Sequence, residues 1–159
     1  NAYCQDNETS WIDWHPLSAD DERFLRFVQR TIALRRDHTV FRRDEFFKGK
    51  ASSPASFKDI VWLRPDGGEM GPSDWGNANL QLLGCVIDGM GTGVVSQRYI
   101  LMVNAGVGAV EFMLPKARGG TWQCLLDTTA EDGSASANAE GEAVWLLAPH
   151  CFVLLAERI

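Results

Sequence analysis

The chain changes character once, at His38, and that change constrains the fold more than any other feature. Before it lies one segment with helical periodicity; after it come short β-rich runs parted by turn clusters. Ser18 is an N-cap candidate, with Asp21 three residues on to return the bond in a capping box. Asp20, Asp21 and Glu22 suit the positive end of the helix dipole. The helix is expected to run to about Asp37. At about 100° per residue its apolar arc passes from Phe27, Thr31 and Leu34 through Phe24 and Val28 to Ile32 and Leu25. That is roughly half the circumference, wider than the ~100° that one packing surface needs, so two partners are expected. Arg23, Arg26, Gln29 and Arg30 mark the solvent face. Arg35 falls inside the apolar arc, either as a snorkelling side chain or as a partly buried ion pair or carbonyl clamp joining the helix to the sandwich.

After His38 the expected strands are Asp59 to Arg64, Leu80 to Ile87, Tyr99 to Val103, Ala109 to Leu114, Thr121 to Leu126, Val144 to Leu147 and Cys151 to Ala156. Pro65-Asp66-Gly67-Gly68 is a turn by composition. About seven short strands with turns between them read as an antiparallel sandwich. Thr128 to Gly141 is small, acidic and rich in Gly, Ala and Ser, and is expected to be a loop. Trp62, Trp122 and Trp145 lie within strands and are expected in the core. Trp11, Trp14 and Trp75 lie outside strands and are candidates for interface or sugar contact.

The function classes this composition disfavours follow from charge and length. A net charge of −6 with no basic stripe argues against nucleic acid. The longest apolar runs, such as Phe152 to Ala156, are too short to span a bilayer. No signal peptide is visible, and the start of the chain within a motif reads as a cut. Cys4, Cys85, Cys124 and Cys151 form no C-x-x-C, and no His pair stands at ligand spacing, so no metal or other cofactor is expected. Three of these cysteines sit in apolar runs, as small hydrophobes do. Free thiols suit a cytoplasmic location. Gly89-Met90-Gly91-Thr92-Gly93 lacks a following helix and is expected to be a hairpin loop rather than a nucleotide loop.

The most specific segment is Asn1-Ala2-Tyr3-Cys4-Gln5-Asp6-Asn7-Glu8 with Ser10-Trp11-Ile12-Asp13-Trp14. It resembles the segment after the last barrel strand of isoamylase-type glycogen debranching enzymes, in the α-amylase superfamily. Later phrases are similar too: Leu34-Arg35-Arg36 running into Val40-Phe41-Arg42-Arg43, Lys58 to Trp62, Asp66 to Met70, Asp74-Trp75 and Leu125 to Thr128. One departure is His38-Thr39-Val40, where His-Pro-Val is the pattern. The resemblance implies a mainly β fold: residues 1–38 as the last loop and helix of a truncated β/α barrel, and 39–159 as a C-terminal antiparallel β-sandwich. It implies a parent enzyme that hydrolyses α-1,6 branch links in glycogen or branched maltodextrin.

Asp6, Glu8 and Asp13 are the only clustered carboxylates near that motif. A retaining glycosidase needs a nucleophile and an acid about 5–5.5 Å apart. The resemblance places those groups upstream, on earlier barrel strands, so no catalytic residue is assigned and the three are read as turn and rim residues. Tyr3, Gln5, Asp6 and Asn7 are the candidate substrate-binding residues, because barrel loops build the cleft. The expected partners are the missing barrel, the glucan, and a second copy of the chain on the helix surface the barrel would cover. The alternative, from another functional class, is a stand-alone carbohydrate-binding module with exposed aromatics on one sheet face.

Overall fold

The computed structural model describes residues 2–14, 16–51, 57–89, 97–118, 120–134, 138–140 and 143–158. Helix α1 (Ala19–Asp37) carries the expected capping box: the Asp21 backbone N–H donates to Ser18 Oγ, and the Ser18 backbone N–H donates to the Asp21 carboxylate. A 3-10 turn (Thr39–Arg42) follows. The strands are β1 (Ile60–Leu63), β2 (Leu82–Asp88), β3 (Arg98–Asn104), β4 (Val110–Met113), β5 (Thr121–Asp127), β6 (Asn138–Glu140), β7 (Val144–Leu147) and β8 (Cys151–Arg158). A short helix, α2 (Pro72–Trp75), sits between β1 and β2. Strand β6 corrects the expectation of a continuous loop from Thr128 to Gly141. It is a three-residue edge strand on β5, with too little apolar sequence to announce itself. The Gly89 to Gly93 hairpin loop lies, past Gly89, outside the described residues.

The strands form two antiparallel sheets. One has six strands in the order β1-β2-β3-β8-β5-β6; the other is the pair β4-β7. The small sheet lies on one face of the large one. There Phe112, Leu114, Trp145 and Leu147 meet Val86, Ile100, Met102, Trp122, Val153 and Leu155. Phe112 is fully buried because Gly84 of β2 makes room for its ring: a Cβ at Gly84 would lie 2.3 Å from Phe112 Cζ. Buried Asn104 ties the end of β3 to the neighbouring turns. Its amide donates to the carbonyls of Gly108 and Ala148, both at 2.8 Å, and its oxygen accepts from the Gly106 N–H.

The opposite face of the large sheet is covered by α1 and the 3-10 turn. Phe27, Leu34, Val40 and Phe41 pack on Cys85, Ile87, Tyr99, Leu126, Leu154 and Ala156. A bulge at Leu125 sets this pattern in β5. Cys124 pairs with Leu155 and Leu126 with Leu154, so the inserted residue turns Leu126 toward the helix while Cys124 faces the small sheet. Two arginines lock the helix end. The Arg35 side chain donates to the Phe41 carbonyl, and Arg42 donates to the carbonyls of Arg35 and Arg36 at 3.0 and 2.8 Å. Arg35 is therefore a carbonyl clamp on the 3-10 turn, exposed rather than partly buried. His38 Nδ1 lies 2.8 Å from the Tyr99 hydroxyl on β3.

Among the described residues, the wide arc of α1 is covered along one edge, by the large sheet and by Gly133 in the loop after β5. Its Phe27 and Leu34 edge packs on the sheet, while Phe24 and Ile32 stay 67% and 59% exposed, and no residue of α1 is fully buried.

Candidate functional site

The N-terminal segment folds as a set of local turns on its own hydrogen bonds. The Asn7 amide donates to Gln5 Oε1 at 2.9 Å, and Asn7 Oδ1 accepts from the Thr9 N–H. Ser10 Oγ donates to the Gln5 carbonyl, and the Trp11 indole N–H donates to Asp6 Oδ1 at 2.7 Å. Tyr3, Gln5 and Asp6 are exposed and Asn7 is half-buried. These bonds bring Gln5, Asp6 and Asn7 together as one polar turn, beside which Tyr3 is 79% exposed. Asp6 thus accepts a bond from Trp11 within the same segment. Glu8 and Asp13 are exposed on the same segment. No group of three or more His, Cys, Asp or Glu able to hold a metal occurs among the described residues.

A second constellation was not visible in the sequence. Glu157 of β8 is fully buried beside Arg98 of β3, which donates to it through Nε at 2.8 Å and Nη2 at 2.6 Å. The Arg118 backbone N–H and its Nε, the latter at 3.0 Å, also donate to Glu157. Arg118 reaches Asp88 as well, at 3.6 Å. Burial alone pushes the Glu157 carboxyl up. The hydrogen bonds from Arg98 and Arg118 outweigh it and hold the group at about 2. Both arginines also lie over the Phe57 ring, at 5.5 and 5.4 Å. This is a closed ionic brace at one end of the core, with its charges answered from within.

The third constellation corrects the reading of Trp62 as a core residue. Trp62 is on β1, the edge of the large sheet, and is 37% exposed. Its ring meets that of Trp75, 51% exposed, with centroids 5.7 Å apart and planes at 83°. Strand alternation buries Leu63 and turns Trp62 and Arg64 the other way. Arg64 forks onto Asp66 at 3.1 and 3.0 Å and reaches Asp74 at 3.5 Å. Gly68 makes room for that fork, since a Cβ there would lie 2.4 Å from Arg64 Nη2. The Gly71 N–H donates to Asp74 Oδ2 at 2.7 Å and fixes the start of α2. The sequence signal was Asp74-Trp75 at the end of a turn-rich stretch; its meeting with Trp62 depended on the path of the hairpin. Trp122 and Trp145 are buried, and Trp11, Trp14 and Trp75 are exposed, as expected.

These features define an antiparallel β domain, and the chain belongs to the isoamylase C-terminal family, whose description, "Isoamylase, C-terminal", matches residues 59–148. Among curated proteins it is similar to the glycogen operon protein GlgX homolog of Mycobacterium tuberculosis, 36% identical over 138 residues, covering 80% of this chain and 19% of that protein. It is also similar to the glycogen debranching enzyme of Serratia proteamaculans, 30% identical over 158 residues, covering 99% of this chain and 20% of that enzyme. The chain thus spans about a fifth of the length of the relatives it matches.

Proposed function

We propose that this chain is the C-terminal part of a glycogen debranching enzyme that hydrolyses α-1,6-glucosidic branch links, and that its own role is structural and accessory. Residues 1–38 would complete a β/α barrel and 39–159 would form the sandwich packed against it. The observation that carries this reading is the similarity over 99% of the chain to a debranching enzyme about five times as long. The helix supports it: α1 puts one apolar edge on the sheet and leaves the other, with Phe24 and Ile32, for a second body. In this reading Tyr3, Gln5, Asp6 and Asn7 lie on the barrel rim, where an aromatic ring and amides can meet glucose units. The catalytic carboxylates would come from the barrel, and the Asp6 carboxylate accepts the Trp11 indole N–H, a bond that supports a turn role for it. Buried free thiols fit a cytoplasmic enzyme, and no helix among the described residues is long and apolar enough to cross a membrane.

The test joins this chain to the coding sequence upstream of Asn1 and compares the product with the chain alone. Release of reducing ends from a branched glucan is expected only from the joined protein. Turnover by the chain alone, abolished by Asp6→Asn or Glu8→Gln, would overturn the proposal.

A further inference from the structure

We propose that the Trp62–Trp75 corner is a binding site for α-1,4-linked glucan, separate from the barrel-rim segment. This deepens the accessory role above and rests on it for the origin of the ligand as a glycogen chain. The reasoning starts from the angle. Two indoles at 83° with centroids 5.7 Å apart form a step rather than a strip. Pyranose rings lay their C–H faces on aromatic faces. A β-1,4 glucan is flat and fits coplanar rings, whereas an α-1,4 glucan turns at each linkage, so successive sugars meet surfaces set at an angle. A right-angled pair therefore selects the curved chain.

The rim supplies the second half of the chemistry. Sugar sites combine apolar faces with a few fixed polar groups. Here Arg64, Asp66 and Asp74 are already arranged as guanidinium–carboxylate forks, and such planar groups bridge vicinal hydroxyls. The two carboxylates are held by backbone N–H groups, Asp66 by Gly68 in the turn and Asp74 by Gly71 at the start of α2, so little ordering is left for binding to supply. The two carboxylates of the rim argue against a protein partner, because Asp is depleted at the centre of a protein interface. Arg64 and Asp66 would have to be desolvated there, at 40% and 62% exposure.

The experiment titrates the 159-residue chain with maltoheptaose and, separately, with cellohexaose, following the indole N–H resonances by NMR. Maltoheptaose is expected to shift the Trp62 and Trp75 signals saturably with Kd on the order of 1 mM, and cellohexaose to leave them in place. Trp75→Ala is expected to weaken maltoheptaose binding by about tenfold or more with an unchanged melting temperature, and Trp75→Phe to retain most of it. Should Trp75→Ala lower the melting temperature, Arg64→Leu decides: it leaves both rings and must still weaken binding several-fold. No saturable shift, equal response to cellohexaose, or undiminished binding in the deciding variant would overturn the site. Shifts of these two signals on dilution alone would also overturn it, by marking an interface between copies. An active joined enzyme without this binding would sink the site and leave the accessory role standing; binding at the corner with no debranching in the joined protein would do the reverse.

Discussion

At the scale of single residues, Glu157 carries the largest consequence. Its carboxyl ordinarily titrates near 4.5 and is held at about 2 in the fold. A depressed folded value means the ionised form is favoured by folding. The stabilisation is therefore fully present above pH 4.5 and is lost as pH falls from 4.5 toward 2. The shift corresponds to about 3 kcal/mol. Glu157→Gln should destabilise the chain at pH 7, since it removes one of the three acceptors of buried Arg98 and the charge that answers it. It should also flatten the loss of stability between pH 4.5 and 2. Urea titrations of both proteins across that range check this, and parallel pH curves would refute it. The cysteines make a second residue-scale case. Burial pushes the Cys85 and Cys124 thiols up to about 12 and about 11, and raises Cys151 as well, while Cys4 is exposed. One thiol should react promptly with a disulfide reagent in the native protein and four after unfolding. More than one prompt native thiol would show that the strands open.

Among the elements, α1 is the one whose attachment is narrow enough to be broken selectively. Its Phe27 ring rests on Gly133, which has φ +68; a Cβ there would lie 2.7 Å from Leu126 Cδ1 and 2.8 Å from Phe27 Cδ2. Gly133→Ala combines a left-handed backbone with that clash and should cost about 1–3 kcal/mol. The loss should fall on the helix: α1 amides should exchange faster while β3 and β8 keep their protection. Gly84→Ala should cost a similar amount but loosen the other face, where Phe112 would be displaced. Uniform loss of protection in both variants would count against two separable layers. Much of this layering was legible in the sequence. The helix announced itself through Ser18, Asp21 and its apolar arc, and most strands through alternation, because local propensity and burial agree there. Four things were not legible. Strand β6 borrows its pairing from β5, and Trp62 sits on an edge strand, where a residue with a core-like sequence context meets solvent. The brace of Arg98, Arg118, Asp88 and Glu157 joins positions far apart in sequence, and no local pattern encodes which charges meet across strands. At the barrel-rim segment the residue types were legible, but the bond from Trp11 to Asp6 was not.

For the molecule as a whole, the asymmetry between the two faces of the large sheet sets its behaviour in solution. The face under β4 and β7 is closed by the chain itself. Among the described residues, the other is covered by Phe27 and Leu34 of α1 with Val40, Phe41 and Phe47, and on the helix beyond them lie Phe24 and Ile32, with Trp11 and Trp14 exposed elsewhere on the N-terminal part of the chain. Contiguous apolar patches beyond a few hundred Å² are uncommon on monomers and find partners. The isolated chain is therefore expected to pair with a second copy through this helix edge, the surface assigned above to the barrel. Because Phe24 and Ile32 add little to the fold's own core, Phe24→Ser with Ile32→Lys should abolish the pairing and shift the melting temperature by no more than a few degrees. Sedimentation velocity at concentrations up to about 100 µM, on the wild type and the double variant, reads both effects. A wild-type chain that stays monomeric there would show that the open helix edge has no self-affinity. A dimer that survives the double substitution would place the contact elsewhere. In the joined protein the same substitutions should act differently: the barrel would already occupy the edge, so they should lower the enzyme's melting temperature rather than change its oligomeric state.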